Sequence, residues 1–438
     1  MELNQVRTFR VATSDLNGQM RGKRLPTSEY ATIEGPKIKI PLSTLNVDVW
    51  GADIKNSPLV FKTGDVDGIL LPTDRGPVPM PWLDDPTFFV PMWTYNVDHT
   101  PFKGDPRHAL ATILESYAVC GWTVIAATEL EFYLVDDSQE KLSPVVSPRN
   151  GRPLAGGAYM SLLELDSFDA YFSELYEACK LMGIDAQTAI SEAGIGQFEV
   201  NLKHAEAMRV ADDTWIFKSL VRGLARKHGM AATFMAKPFA LQAGSGTHVH
   251  FSVLDKDSNN IFNDGGTEGT RILCHAVAGC LEAMPASTLI FAPYLNSYER
   301  LIPDTHAPTG VCWGYDNRTS ALRIPASHPG ARRIEHRVAG GDINPYLLLS
   351  VILGAALYGI QTEMTPPHPI KGNSYEQDLP KLAPSCEAAI KSFRHDQLIA
   401  RIFSETLIEN LCLTKQQELS VLADIKVTEH WQSFLETV

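Results

Sequence analysis

The chain has 438 residues, more than one ordinary core accommodates, so two or three domains, or one large catalytic body with an appendage, are expected. Hydrophobic residues make up 44% and charged residues 20%, the profile of a soluble globular protein. The formal net charge of −13 argues against nucleic acid as a partner and suits metal cations and cationic substrates.

The seven cysteines are scattered and contain no Cys-x-x-Cys pair, which argues against a disulfide framework or structural zinc and fits a reducing cytoplasm. The N-terminal residues lack the apolar run of a signal peptide. The longest apolar stretch, 346–360, is broken by Ser350 and Gly354 and is too short to span a bilayer, so it reads as a core helix and no membrane partner is expected.

In chain order, residues 6–13 and 38–40 read as strands, with a hairpin turn at 15–18. The proline-rich passage 72–91 reads as extended chain that covers a surface or links domains, because proline removes backbone donors and blocks helix. A boundary near residue 100 divides the chain into 1–100 and 101–438. Beyond it, helices are expected over 109–120, 168–182, 205–230, 270–284 and 344–362, and strands over 124–134, 198–202, 246–253 and 334–338. The pattern is α+β.

The strand at 124–134 carries Glu129 and Glu131, two residues apart and so on one face. A lone glutamate is usually solvated or ion-paired, but two carboxylates within an apolar run are costly unless something positive meets them. Glu192 and Glu199 flank a glycine-rich turn, His248 and His250 alternate along another strand, and Glu335 alternates with Arg333 and Arg337. Hard oxygen donors with one imidazole favour magnesium or manganese over zinc, and no His-Glu-x-x-His motif is present.

Residues 243–252, Ala-Gly-Ser-Gly-Thr-His-Val-His-Phe-Ser, follow Lys237-Pro-Phe and set His248, His250 and Ser252 on one strand face behind a turn where backbone can approach a ligand. Neither a P-loop nor a Gly-x-Gly-x-x-Gly fingerprint occurs, so any nucleotide is held by another device. Arg300, Arg318, Arg323, Arg332, Arg333 and Arg337 crowd into one region of this acidic chain. Arginine beside carboxylate-bound metal is what phosphoryl transfer needs.

Together these blocks resemble the glutamine synthetase family. Residues 237–252 match its ATP-region signature at all sixteen positions, and Glu129-Leu-Glu131, 192–199, 296–303, 332–337 and 344–347 match in order. The resemblance implies a β-grasp N-terminal domain before a large catalytic domain with a curved antiparallel sheet. It also implies a homo-oligomeric ring, a dodecamer of two hexamers, with sites between subunits. By position, Glu131, Glu192 and Glu199 would hold one Mg²⁺ or Mn²⁺, and Glu129, His248 and Glu335 a second on the phosphates of ATP. His250, Ser252, Arg333 and Lys237 would contact ATP. Glu131, Gly244, Arg300 and Arg337 would serve the substrate glutamate, and Arg318 and Arg323 the transferring phosphoryl group. Asp48 and Asp67 would be lent to a neighbouring subunit's site.

The chain departs from ordinary glutamine synthetases at two site positions. His306 stands six residues after Arg300, where they place a glutamate that helps hold ammonium, and Ala243 replaces a usual asparagine. The Asp-Gly-Ser-Ser motif is absent, and 375–380 only loosely resembles the adenylylated tyrosine loop. Residues 15–24, 228–238, 243–246, 313–319 and 338–342 instead look like the γ-glutamylpolyamine synthetase branch, which joins glutamate to an amine such as putrescine. The expected reaction is therefore glutamate–amine ligation through γ-glutamyl phosphate, with Asp48, Asp67 or His306 accepting a proton. The competing readings are an ammonia-using enzyme, a ligase for methylamine, isopropylamine or ethanolamine, and a non-catalytic sensor.

Overall fold

The computed structural model describes residues 6–438 apart from 155, 158, 304 and 306. Two sheets organise it. The first contains β1 (Thr8–Ser14), β2 (Met20–Pro26), β3 (Ile38–Pro41), β4 (Asp67–Pro72), β5 (Val78–Pro79) and β6 (Thr87–Tyr95), in the order β2-β1-β6-β4-β3 with β5 also on β6. Only β1 and β6 run parallel. Phe9, Val11, Ile38, Ile40, Leu70 and Val90 form its core.

The proline-rich passage is thus partly a correction. Residues 87–91 begin a central strand, not a linker. Pro91 is tolerated there because it lies where β6 passes from its β1 partner to its β4 partner, and its carbonyl still accepts from the Thr73 N–H.

The second sheet contains β7 (Thr123–Asp136), β8 (Ser143–Pro144), β9 (Ala186–Ser191), β10 (Gln197–Leu202), β11 (Ala205–Glu206), β12 (Ala231–Thr233), β13 (Thr247–Leu254), β14 (Trp313–Tyr315), β15 (Leu322–Ile324) and β16 (Ile334–His336). Its order is β14-β15-β16-β13-β7-β10-β9, and β8, β11 and β12 also pair with β7. β7 shows why one face is chemical and the other structural. Val124, Ala126, Thr128, Leu130, Phe132 and Leu134 are buried, while Ile125, Ala127, Glu129 and Glu131 between them are half-exposed. The buried side packs on the Ala207–Lys227 helix, where Thr128 and Thr214 hydroxyls meet at 2.8 Å.

The Pro345–Gln361 helix lies in the core, buried almost throughout, with Pro345 at its first turn and Asn344 capping the Tyr346 N–H. The expected helix from 205 starts instead at Ala207, because Ala205 and Glu206 pair with β7 as β11. Buried polar bonds tie the first sheet to these helices. Arg107 lies 3.6 Å over the Trp93 ring of β6 and forks onto Asp212 at 2.9 and 2.8 Å, and Asp212 also accepts from the Tyr346 hydroxyl. All seven cysteines are free, and among the described residues no helix is long and apolar enough to cross a membrane.

Candidate active site

Strand register assembles the site. Glu131 of β7 stands opposite Glu199 of β10, and Glu129 opposite both Asn201 of β10 and His248 of β13. His250 stands opposite Glu335 of β16, which stands opposite Arg323 of β15. Residues directly opposed across a ladder share one face of the sheet, with Cβ atoms about 5 Å apart. Five strands thus gather residues from 129 to 335 onto a single surface.

Glu129 is its hub. One oxygen lies 2.9 Å from His248 Nδ1 and the other 3.0 Å from His250 Nε2. Burial alone raises the Glu129 carboxyl, but the hydrogen bonds and charges of the two histidines together outweigh it and hold it below the usual range. Glu335 behaves alike. Burial is opposed by Arg337, His248, His250 and Arg323, and the carboxyl is lowered. The Glu335 carboxylate accepts from Arg323 Nη1 at 2.9 Å and from Arg337.

For Glu199 and Glu192 the opposing cations, Arg337 and Arg318, are outweighed. Burial, then the charges of Glu131, Glu129 and Glu192, push Glu199 up to about 9. Burial, then Glu131, push Glu192 up to about 7. Carboxylates this crowded leave negative charge that a divalent cation would neutralise.

Among the described residues, ligand atoms of Glu129, Glu199 and His248 lie within 4.8 Å of one another, as do those of Glu129, His250 and Glu335. This donor set fits a hard divalent ion that accepts one imidazole. The grouping differs from the expected division into Glu131, Glu192 and Glu199 against Glu129, His248 and Glu335. Glu129 is shared because it sits between two imidazoles on the middle strand. Glu131 is drawn the other way, its Oε2 accepting the Gly246 N–H at 2.7 Å.

A cavity of about 660 Å³ opens beside the hub, lined among others by Glu129, Asn201, His204, His250, Ser252 and Arg333. Arg333 Nε lies 3.1 Å from His250 Nδ1. Three of the four residues expected on ATP therefore meet there. Lys237 does not line it. Its ammonium donates to the Gln242 carbonyl at 2.5 Å and closes its own loop.

Arg300 is buried, donating from Nη1 to the Val338 carbonyl at 2.7 Å, with its side chain against Gly244 and Gly246. Arg318 is exposed, and its charge reaches Glu192. Asp67 is exposed at the head of β4. Asp48, the other expected lent acid, sits at a turn of the N-terminal part. It is buried, Oδ1 accepts the Trp50 and Ala52 N–H groups, and Oδ2 accepts from Gln417 at 2.8 Å, so it holds a turn. His306 lies outside the described residues.

Asn201, His204 and Gln187 line the cavity but escaped the sequence reading. Asn201 continues the period-two series Gln197, Glu199, Asn201, a signal that was available. Gln187 lies on β9, which carries no clear strand pattern.

Two sheets in this order, the second bearing a face of glutamates, histidines and arginines beside a cavity of about 660 Å³, form a site that could hold divalent ions and a nucleotide, the class of a ligase. The chain belongs to the glutamine synthetase family, whose catalytic-domain model matches residues 103–432, and it is an ATP-dependent ligase of that family. It is 36% identical over 374 residues to gamma-glutamylputrescine synthetase PuuA of Escherichia coli (strain K12), covering 84% of this chain and 79% of that protein. It is 32% identical over 431 residues to glutamate–isopropylamine ligase of a Pseudomonas species, covering 96% and 93%. With glutamine synthetase of Thermus thermophilus the identity is 32% over 350 residues, covering 77% and 76%. Two solved structures share the fold, the glutamine synthetase-like α+β architecture. A novel glutamine synthase homolog superposes with a TM-score of 0.85 at 23% identity, covering 99% of both chains. Apo GmaS without ligand superposes at 0.83 and 24%, covering 98% and 96%.

Proposed function

We propose that this chain joins the γ-carboxylate of glutamate to an organic amine, a polyamine such as putrescine, at the expense of ATP and through γ-glutamyl phosphate. The observation that carries the reading is the juxtaposition, on one sheet face, of carboxylates short of positive charge with the arginines Arg323 and Arg337, beside the cavity at His250 and Arg333. The likeness to a γ-glutamylputrescine synthetase supports the amine acceptor.

Glu129, Glu131, Glu192, Glu199, His248 and Glu335 would hold two divalent ions, Mg²⁺ or Mn²⁺. When bound, the ions supply positive charge to the phosphate oxygens. Arg323 and Arg318 stabilise charge on the transferring phosphoryl group, with Glu335 and Asp316 fixing the Arg323 fork. His250, Ser252 and Arg333 position the nucleotide, and Arg300 and Arg337 hold the carboxylates of glutamate. An alkylamine has a pKa of about 10 and must lose a proton before it attacks. Asp48, Asp67 or His306 takes that proton. Asp67, exposed on β4, would be lent to a neighbouring copy in a ring.

Hydroxylamine with glutamate and ATP tests the ligase reading. Accumulation of γ-glutamyl hydroxamate is expected, and nucleotide binding without hydroxamate would make the chain a sensor. A monoamine acceptor is the second reading, favoured by the likeness to glutamate–isopropylamine ligase over 96% of this chain.

A further inference from the structure

Tyr133 and Gln197 are a cross-strand pair, directly opposed between β7 and β10. Tyr133 continues the series Glu129, Glu131, and its hydroxyl donates to the Ala243 carbonyl at 2.6 Å. Gln197 Nε2 donates to the next carbonyl, Gly244, at 3.0 Å, and lies 3.4 Å from Glu131 Oε2. The other end of the Gln197 amide is fixed by the Gly194 N–H at 2.9 Å. Two adjacent carbonyls of one loop are therefore held by two adjacent side chains of the sheet.

That loop joins the two halves of the proposed glutamate site. The Gly246 N–H reaches Glu131 Oε2 at 2.7 Å, and the Gly246 carbonyl accepts the Glu131 N–H at 3.0 Å. On its other side, Arg300 packs so closely that a Cβ on Gly244 would stand 2.6 Å from Arg300 Cγ, and one on Gly246 2.7 Å from Nη2. Gly194 completes the arrangement, since a Cβ there would overlap the Tyr133 hydroxyl at 1.8 Å.

We infer that Tyr133 and Gln197 are positioning residues that clamp the 243–246 backbone and thereby set the separation of Glu131 and Arg300 for binding the amino-acid substrate. The inference rests on the proposed glutamate site and deepens it. Neither residue touches the nucleotide cavity.

The test uses Tyr133→Phe, which removes one hydroxyl, with Gln197→Leu as a second variant. Calorimetric titration with glutamate in the presence of Mn²⁺ and ADP reads the effect directly. Expected are a loss of roughly five- to tenfold in glutamate affinity, the scale of one hydrogen bond, and an unchanged ADP affinity. Tyr117→Phe is the control. It deletes a buried phenol–carbonyl bond to Leu353 far along the fold, so it should lower thermal stability similarly and leave glutamate affinity intact. Glutamate affinity within twofold of the parent in both clamp variants, or an equal loss in Tyr117→Phe, would overturn the clamp. If the parent binds no glutamate, the proposed function fails first, and the two failures are distinguishable.

Discussion

Glu129 stands directly opposite His248 across the β7–β13 ladder, its Oε2 2.9 Å from Nδ1, while its second oxygen reaches His250 at 3.0 Å. One carboxylate therefore belongs to both clusters of potential metal ligands and to the wall of the cavity. Glu131, two residues on, is bonded to the Gly246 amide instead.

Unequal damage follows for the two glutamates. Glu129→Ala should weaken Mn²⁺ binding and ATP affinity together. Glu131→Ala should weaken glutamate binding and leave ATP affinity within about twofold. Manganese and nucleotide titrations of both variants decide it, and an equal loss of ATP affinity in both would contradict the geometry.

The crowded acids predict an unusual pH response in the metal-free protein. Glu199 is raised to about 9 and Glu192 to about 7, each from an ordinary value of 4.5. The folded state thus binds protons that the unfolded state has released, and stability falls as pH rises through that window. Their contribution is fully present below pH 4.5 and is lost by about pH 9. Melting temperatures in a chelator should decline from pH 5 to 9, and saturating Mn²⁺ should flatten the decline. A metal-free melting temperature that climbs toward pH 9 would contradict the assignment.

Arg323 bridges Asp316 and Glu335 with its guanidinium fork. Lysine keeps the charge but cannot reach both partners. Arg323→Lys should lower kcat by about 10²-fold, the scale of one lost donor to a transition-state oxygen, with little change in the KM for ATP. A large KM change with kcat intact would assign Arg323 to ground-state binding.

Asp212 is the buried acceptor for Arg107 and Tyr346. Asp212→Ala strands a buried guanidinium and should cost about 3–5 kcal/mol in urea unfolding. Replacing Arg107 and Asp212 together by apolar residues should cost far less.

The chemical face was legible because β7 alternates so regularly. Leu130 and Phe132 go inward, which leaves Glu129 and Glu131 outward with nothing to satisfy them but neighbouring strands. Period two assigns a face but not a neighbour, so the sharing of Glu129 between two clusters could not be read from spacing. Local hydrogen bonding was equally hidden. In this chain Asp48 accepts from the Trp50 and Ala52 N–H groups and Lys237 donates to the Gln242 carbonyl, bonds that no motif spells out. The proline-rich passage misled because a proline at a change of strand partner leaves a ladder intact.

The central claim, ligation of glutamate to an organic amine, is tested most directly by phosphate release from ATP with glutamate and a panel of acceptors. The panel comprises putrescine and longer polyamines, methylamine, isopropylamine, ethanolamine and ammonium. The account predicts the highest kcat/KM with a polyamine, and at least about tenfold less with ammonium. Ammonium as the best acceptor would contradict it.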